Sequence, residues 1–199
     1  MGGNLVNIRG YNQQDEKGWV RCRLLSFLDT AYFDNVLREK ETYENPSIEL
    51  VAVEGKEIIG LLDIEYEQDP KTVCSHNTIP SGMIWHIAVH PDHQRKGVAT
   101  ALLSEAKQIL KKHGIKRMEA WTRDDDWVNK WYEAHHFKKK DSYYHVFMEG
   151  VDETKIALKS EIEGLHPVLG FAHYVGSNIE EVKGNFKRVH ECRMYELML

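Results

Sequence analysis

Residues 83 to 122 constrain the fold more tightly than any other stretch. Met83-Ile84-Trp85-His86-Ile87-Ala88-Val89 is a nearly continuous apolar run, the pattern of a strand buried on both faces. His90 to Gly97 (HPDHQRKG) reads as a loop. Val98, Ala101, Leu102, Ala106, Ile109 and Leu110 then recur at helical spacing as far as Lys111-Lys112-His113-Gly114, where a basic last turn and a glycine behind it mark a helix C-terminus. Ile115 to Thr122 gives the next strand. Strand, helix and strand in this order make a βαβ unit, whose strands should run parallel with a right-handed crossover.

The flanking sequence supplies further elements. Residues 4 to 11 (NLVNIRGY) alternate like a short strand, and Asp15 stands as N-cap before a stretch carrying Trp19, Val20, Leu24, Phe27 and Leu28. A second helical piece is expected over Thr30 to Glu39, ended by the break at Asn45-Pro46-Ser47. Ile48 to Val53 and Ile58 to Tyr66, joined through Glu54-Gly55-Lys56, read as an antiparallel hairpin. After a polar segment from Gln68 to Ser81 and the βαβ unit, Asp124-Asp125-Asp126 opens a short helix to about His135, and Phe137 to Met148 forms a strand. A helix over 152–164, a strand over Val168 to Val175 and a last strand over Arg188 to Leu199 complete the expectation. There is no internal repeat and no Gly/Ser/Pro linker, so one α/β domain is expected.

Charge narrows the partners. With 26 Lys+Arg against 31 Asp+Glu the net charge is −5, which argues against nucleic acid, whose affinity comes mainly from phosphate neutralisation. No apolar run approaches the ~20 residues that span a bilayer, and Met-Gly-Gly-Asn lacks the basic-then-apolar start of a signal peptide, so a cytoplasmic protein without a membrane partner is expected. Cys22, Cys74 and Cys192 are odd in number and far apart, which supports neither a disulfide framework nor zinc. His135 and His136 are adjacent rather than four apart, so no metal site is expected there.

The loop between the buried strand and the helix carries the chemistry. Gln94, Arg95, Lys96, Gly97, Val98 and Ala99 lead into a helix N-terminus, where unpaired backbone N–H groups and the helix dipole favour an anion. Gly97 allows close approach of a diphosphate, Ala99 keeps the first turn clear, and Thr100 adds a hydroxyl. The alternative is that Gly97 only turns the chain and Arg95 and Lys96 are solvated. Neither G-x-x-x-x-G-K-[ST] nor G-x-G-x-x-G is present, so ATP and NAD sites have no support.

The segment IAVHPDHQRKGVATALLSEAKQILKKHG resembles the coenzyme A-binding motif of the GCN5-related N-acetyltransferase (GNAT) superfamily, Gln/Arg-x-x-Gly-x-Gly/Ala after a strand ending in Ala-Val; Gln94, Gly97 and Ala99 fit it. WVNKWYEAHHF is similar to a later helix of that family, with Tyr132, Glu133 and Phe137 matching. His136 stands where the family usually has Gly, and Asp125 or Asp126 where Asn often opens the helix, leaving Asn129 as the local substitute for an Asn contact. The resemblance covers roughly residues 4 to 148. It implies a mixed, twisted central sheet flanked by helices, and acetyl-CoA as cosubstrate with its pantetheine arm along Ile87, Ala88 and Val89. A backbone N–H at Val89 would meet the thioester carbonyl. Because the family closes its sheet with two antiparallel strands, the last strand is expected at ~186–199 and residues ~149–185 as an insertion, lining the amine pocket or making a homodimer contact.

Acetyl transfer to an amine also needs a proton acceptor and help for the thiolate. An alkylamine of pKa ~10.4 is protonated at neutral pH, and reaching the neutral form costs about 4.6 kcal/mol at pH 7. Glu65 and His86 are the candidate bases, with a water chain as the third route. Tyr132 is the candidate proton donor to sulfur, or else a packed aromatic. The carboxylates Glu39, Glu41, Glu44, Glu65 and Glu67 favour a small cationic amine as acceptor, with a protein amine as the other choice. A non-catalytic acyl-CoA-binding or regulatory module is the alternative to an enzyme.

Overall fold

In the computed structural model, which describes residues 6–75 and 78–199, the chain runs β1 (Asn7–Gly10), α1 (Glu16–Phe27), β2 (Ser47–Glu54), β3 (Glu57–Tyr66), β4 (Gly82–Val89), α2 (Val98–Lys112) and β5 (Arg117–Thr122). It continues through α3 (Asp126–Ala134), β6 (Lys138–Glu149), α4 (Val151–Ala157), β7 (Leu169–Tyr174), α5 (Ile179–Asn185) and β8 (Arg188–Met198). The eight strands form one sheet in the order β1-β2-β3-β4-β5-β8-β6-β7. Among the described residues only β4 and β5 pair in parallel, as the βαβ unit requires, and the other pairs are antiparallel.

The apolar patterns place two cores on the two faces. One packs Leu102, Leu103, Ala106 and Leu110 of α2 against Ile59, Leu62, Ile64, Ile84, Met118 and Ala120. The other sets Trp19 and Cys22 of α1 on Val51, Leu61 and Ala88. At Gly60 a Cβ would lie 2.7 Å from Val98 Cγ1, so the absent side chain lets the first turn of α2 rest directly on β3. That contact fixes where the helix N-terminus sits relative to the central strands.

Several expectations are corrected. Residues 30–39 form turns rather than a helix, because distant side chains satisfy their backbone. The Asp125 carboxylate accepts from Ala31 N–H, Arg123 and Arg188 donate to the Ala31 carbonyl, and Arg23 donates to the Asn35 carbonyl. On α1 the buried stripe is Trp19, Cys22, Arg23 and Ser26, with Leu28 exposed; Arg23 turns inward because its guanidinium has partners there. The helix expected over 152–164 stops at Ala157, and α5 is an element the sequence pattern did not reveal. The last strand falls at Arg188–Met198 and inserts between β5 and β6, so the segment between β6 and β8 is an insertion, and its β7 adds an eighth strand to the sheet. Residues 4 and 5 of the expected first strand, and 76 and 77 of the polar segment, lie outside the described residues. Among the described residues no helix is long and apolar enough to cross a membrane.

Candidate active site

The parallel pairing of β4 with β5 is short. Gly82, Met83 and Ile84 oppose Met118, Glu119 and Ala120, after which the strands part, although β4 continues to Val89 and β5 to Thr122. A bulge helps: Asp63 opposes His86 and Ile64 opposes Ile84, so Trp85 is an extra residue that bends β4. A gap therefore opens along the second half of β4. His90 N–H bonds the Ile59 carbonyl at 2.8 Å. In an antiparallel ladder alternate residues face alternate sides, so Ala88 turns its N–H towards β3 while Ile87 and Val89 turn theirs into the gap. The Val89 carbonyl on that side is occupied by Gln94 Nε2 at 3.2 Å, which leaves its N–H as the donor facing the gap.

The gap ends at the loop before α2. Pro91–His93 make one 3-10 turn, and Lys96 Nζ closes back on the Asp92 carbonyl at 2.8 Å. Gly97 is the N-cap in the left-handed region, φ 82°, where a side chain would be strained although nothing lies within 4 Å of a Cβ. The first helical bond here runs from Ala101 N–H to the Gly97 carbonyl. The N–H groups of Val98, Ala99 and Thr100 thus point out of the helix end without an intrahelical acceptor. Arg95 and Lys96 are exposed at its rim. Thr100 offers its backbone rather than its hydroxyl: Oγ1 is engaged 2.9 Å from His135 Nε2, while His135 Nδ1 lies 2.8 Å from the Trp131 carbonyl.

Tyr132 stands on α3. Its ring stacks on Tyr195 with centroids 5.3 Å apart and meets Trp131 and Phe137 edge-on. Burial, then the neighbouring Tyr32 and Tyr195, push its phenol pKa well above the ordinary tyrosine value, so it stays protonated. Its hydroxyl has no hydrogen-bond partner among the described residues. Asn129 is turned inward instead: Nδ2 donates to the carbonyls of Arg123 and Asp125, and Oδ1 accepts from Tyr195. Every polar atom of that amide is engaged in seating α3, so Asn129 has none to offer a cofactor. Of the three aspartates at this helix, Asp124 pairs with His190 and Asp125 holds Ala31. Only Asp126 lies within the first turn.

The opposite side of β4 carries the two candidate bases. Glu65 is buried, accepting from Asn45 N–H and Nδ2 at 2.9 Å each and from Trp85 Nε1 at 2.8 Å. Burial would raise its pKa, but these hydrogen bonds outweigh it and leave the carboxyl below the usual range. His86 Nδ1 faces Arg23 Nε at 3.4 Å and Nε2 faces Glu41 Oε2 at 2.5 Å. Arg23 only donates, so Nδ1 accepts and Nε2 carries the proton towards Glu41. Both oxygens of Glu65 and the Nδ1 lone pair of His86 are thus already engaged as acceptors. The residue sequence reasoning undervalued is Glu41: its side chain is 47% exposed, and His86 holds its pKa below the ordinary value. Beneath it Asp63 is buried against Lys40 Nζ at 3.0 Å and Tyr43 OH at 2.9 Å.

The profile of the Acetyltransferase (GNAT) family matches residues 16–137, more than half of the chain. An acetyltransferase of Sodalis glossinidius is 28% identical over 125 residues, which is 62% of this chain and 78% of the relative. Among solved structures, the fold is similar to the ribosomal-protein-S18-alanine N-acetyltransferase of Escherichia coli, with TM-score 0.58, 12% identity and coverage of 98% of this chain and 94% of that one. It is also similar to the PaiA N-acetyltransferase of Thermoplasma acidophilum in complex with coenzyme A, with TM-score 0.53, 15% identity and coverage of 68% and 91%.

Proposed function

The chain belongs to the GNAT acetyltransferase family, and we propose that it transfers an acetyl group from acetyl-CoA to the nitrogen of a small primary amine that is cationic in solution. The observation that carries this reading is the gap between β4 and β5, which runs from the bulge at Trp85 to the open N–H groups of α2. A diphosphate would sit on Gly97, Val98, Ala99 and Thr100, with Gln94, Arg95 and Lys96 around it. The pantetheine arm would extend along Ile87, Ala88 and Val89, and the Val89 N–H would bond the thioester carbonyl oxygen as negative charge develops there. The amine nitrogen forms the new N–C bond, the C–S bond breaks, and Tyr132 gives its proton or a hydrogen bond to the departing sulfur.

The amine approaches from the α1 face. Glu41, held by His86, receives it as an ammonium, and the proton leaves through water at this exposed edge. Glu65 shapes the wall. Cys22, Cys74 and Cys192 are free and buried, which suits a reducing cytoplasm.

Thiol release from acetyl-CoA with a panel of primary amines, read beside calorimetric coenzyme A binding, tests the proposal. Amine-dependent thiol release is expected. Tight coenzyme A binding without release would establish a non-catalytic acyl-CoA module instead, and no binding would refute both.

A further inference from the structure

The last residues paired across β4 and β5 are Ile84 and Ala120, and the next residue on each strand is a tryptophan, Trp85 and Trp121. The two indoles therefore flank the mouth of the gap. Ala120 belongs to the core under α2, so Trp121 after it turns to the other face of the sheet, where the amine would arrive; Ile64 belongs to that core too, so Glu65 after it takes the same other face, and the bulged Trp85 joins it there through its bond to Glu65. Trp85 is 47% exposed there and Trp121 is half-buried.

Their exposure is ordered. Trp85 Nε1 donates to Glu65 at 2.8 Å, and Trp121 Nε1 donates to Glu119 at 2.9 Å. Both carboxylates are buried and otherwise engaged, Glu65 by Asn45, and Glu119 by Ser75 and Arg117. The one polar edge of each indole is thus satisfied inward, and what remains for a ligand is ring. Tyr143 on β6 extends this surface, with its centroid 5.2 Å from Trp121 at 56°.

We propose that the acceptor amine carries an aromatic ring, received by Trp85, Trp121 and Tyr143 while its nitrogen reaches the gap. This deepens the acetyl-transfer reading and rests on it. A second ammonium on the acceptor fits less well, because every oxygen of Glu65 and Glu119 already accepts a hydrogen bond within the protein. A saturated body would be buried equally well but would lose the edge-to-face and offset contacts, worth roughly two- to tenfold per well-placed ring.

The test compares 2-phenylethylamine, 2-cyclohexylethylamine and 1,5-diaminopentane, both as acceptors and as ligands of the coenzyme A-saturated protein in calorimetry. The aryl amine should lead the cyclohexyl amine by about tenfold or more in kcat/KM and in affinity. Trp121→Leu should bring that ratio close to one, whereas Trp121→Phe should keep most of it. A wild-type ratio near one, a preference for the diamine, or a Leu variant that slows all three amines equally would overturn the assignment. Failure of the acetyl-transfer reading shows separately, as absent thiol release with every amine. In that case the calorimetric ring preference still decides, its presence upholding the aromatic site and its absence refuting it.

Discussion

Tyr132 is 4% exposed as a residue, yet its hydroxyl oxygen is not among the sealed-off polar atoms, so a protonated phenol reaches accessible space with no partner among the described residues. Tyr132→Phe removes that one oxygen and keeps the stack on Tyr195. We expect kcat to fall by about 10²-fold, with the acetyl-CoA KM nearly constant; an unchanged kcat where chemistry limits the rate would take Tyr132 out of the mechanism. Glu41→Gln preserves shape and an acceptor for His86 Nε2–H but removes the negative charge. The amine kcat/KM should drop by about tenfold while coenzyme A affinity stays level, and equal loss of both would mark a merely structural residue. The place of Tyr132 on α3 was legible because it sits in a recognisable local motif. The contact between Glu41 and His86, 45 residues apart in sequence, was not, because no local pattern encodes that meeting. The same holds for Glu65: its place on a strand was readable, but the Asn45 and Trp85 hydrogen bonds that make it a poor base were not.

Elements whose contacts are local were read well from the sequence. The helix after Gly97 and its stop before Gly114 follow from periodicity and caps: α2 ends at Lys112, and Ile115 N–H returns to the Leu110 carbonyl at 3.0 Å. The 30–39 segment, expected as a helix, forms turns because long-range donors and acceptors hold its backbone open. Gly97 is where an element-scale prediction is sharpest. Gly97→Ala should cost about 1 kcal/mol of stability from its positive φ alone, with a modest effect on the cofactor. Gly97→Pro also deletes an N–H and forbids that φ, so coenzyme A affinity should fall severely in calorimetry while circular dichroism stays native. Near-normal affinity in a folded Gly97→Pro protein would dismiss this loop as the diphosphate site.

At the scale of the molecule, the sheet joins a half built around β2–β4 to one built from β8, β6 and β7, and the 28–46 loop spans both. Arg188 is one tie, bonding Asp34 of the loop at 2.6 and 2.9 Å, with its guanidinium over the Phe147 ring of β6. Next to it, His145 on β6 accepts from Arg123 Nε at 3.0 Å through Nδ1, meets Tyr143 OH at 3.1 Å through Nε2, and stacks on His173. Burial, then the Arg123 charge with His173 and His190 adding to it and Asp124 opposing, lower its pKa to about 4. An unfolded imidazole takes up its proton near pH ~6.5. Below that pH the unfolded chain is therefore protonated at this position while the folded one stays neutral until about 4. The stability due to neutral His145 is fully present above pH ~6.5 and is lost as pH falls towards the folded value, with about 1–2 kcal/mol gone by pH ~5. His145→Gln keeps an acceptor for Arg123 and removes the titrating site. Its melting temperature should start lower than that of the wild type at pH 7.5, because a well-packed ring is lost, yet decline less between pH 6.5 and 5. Parallel declines in the two proteins would show that acid sensitivity arises elsewhere, and that this junction between the halves is held by Arg123 and Arg188 without a protonation-sensitive member.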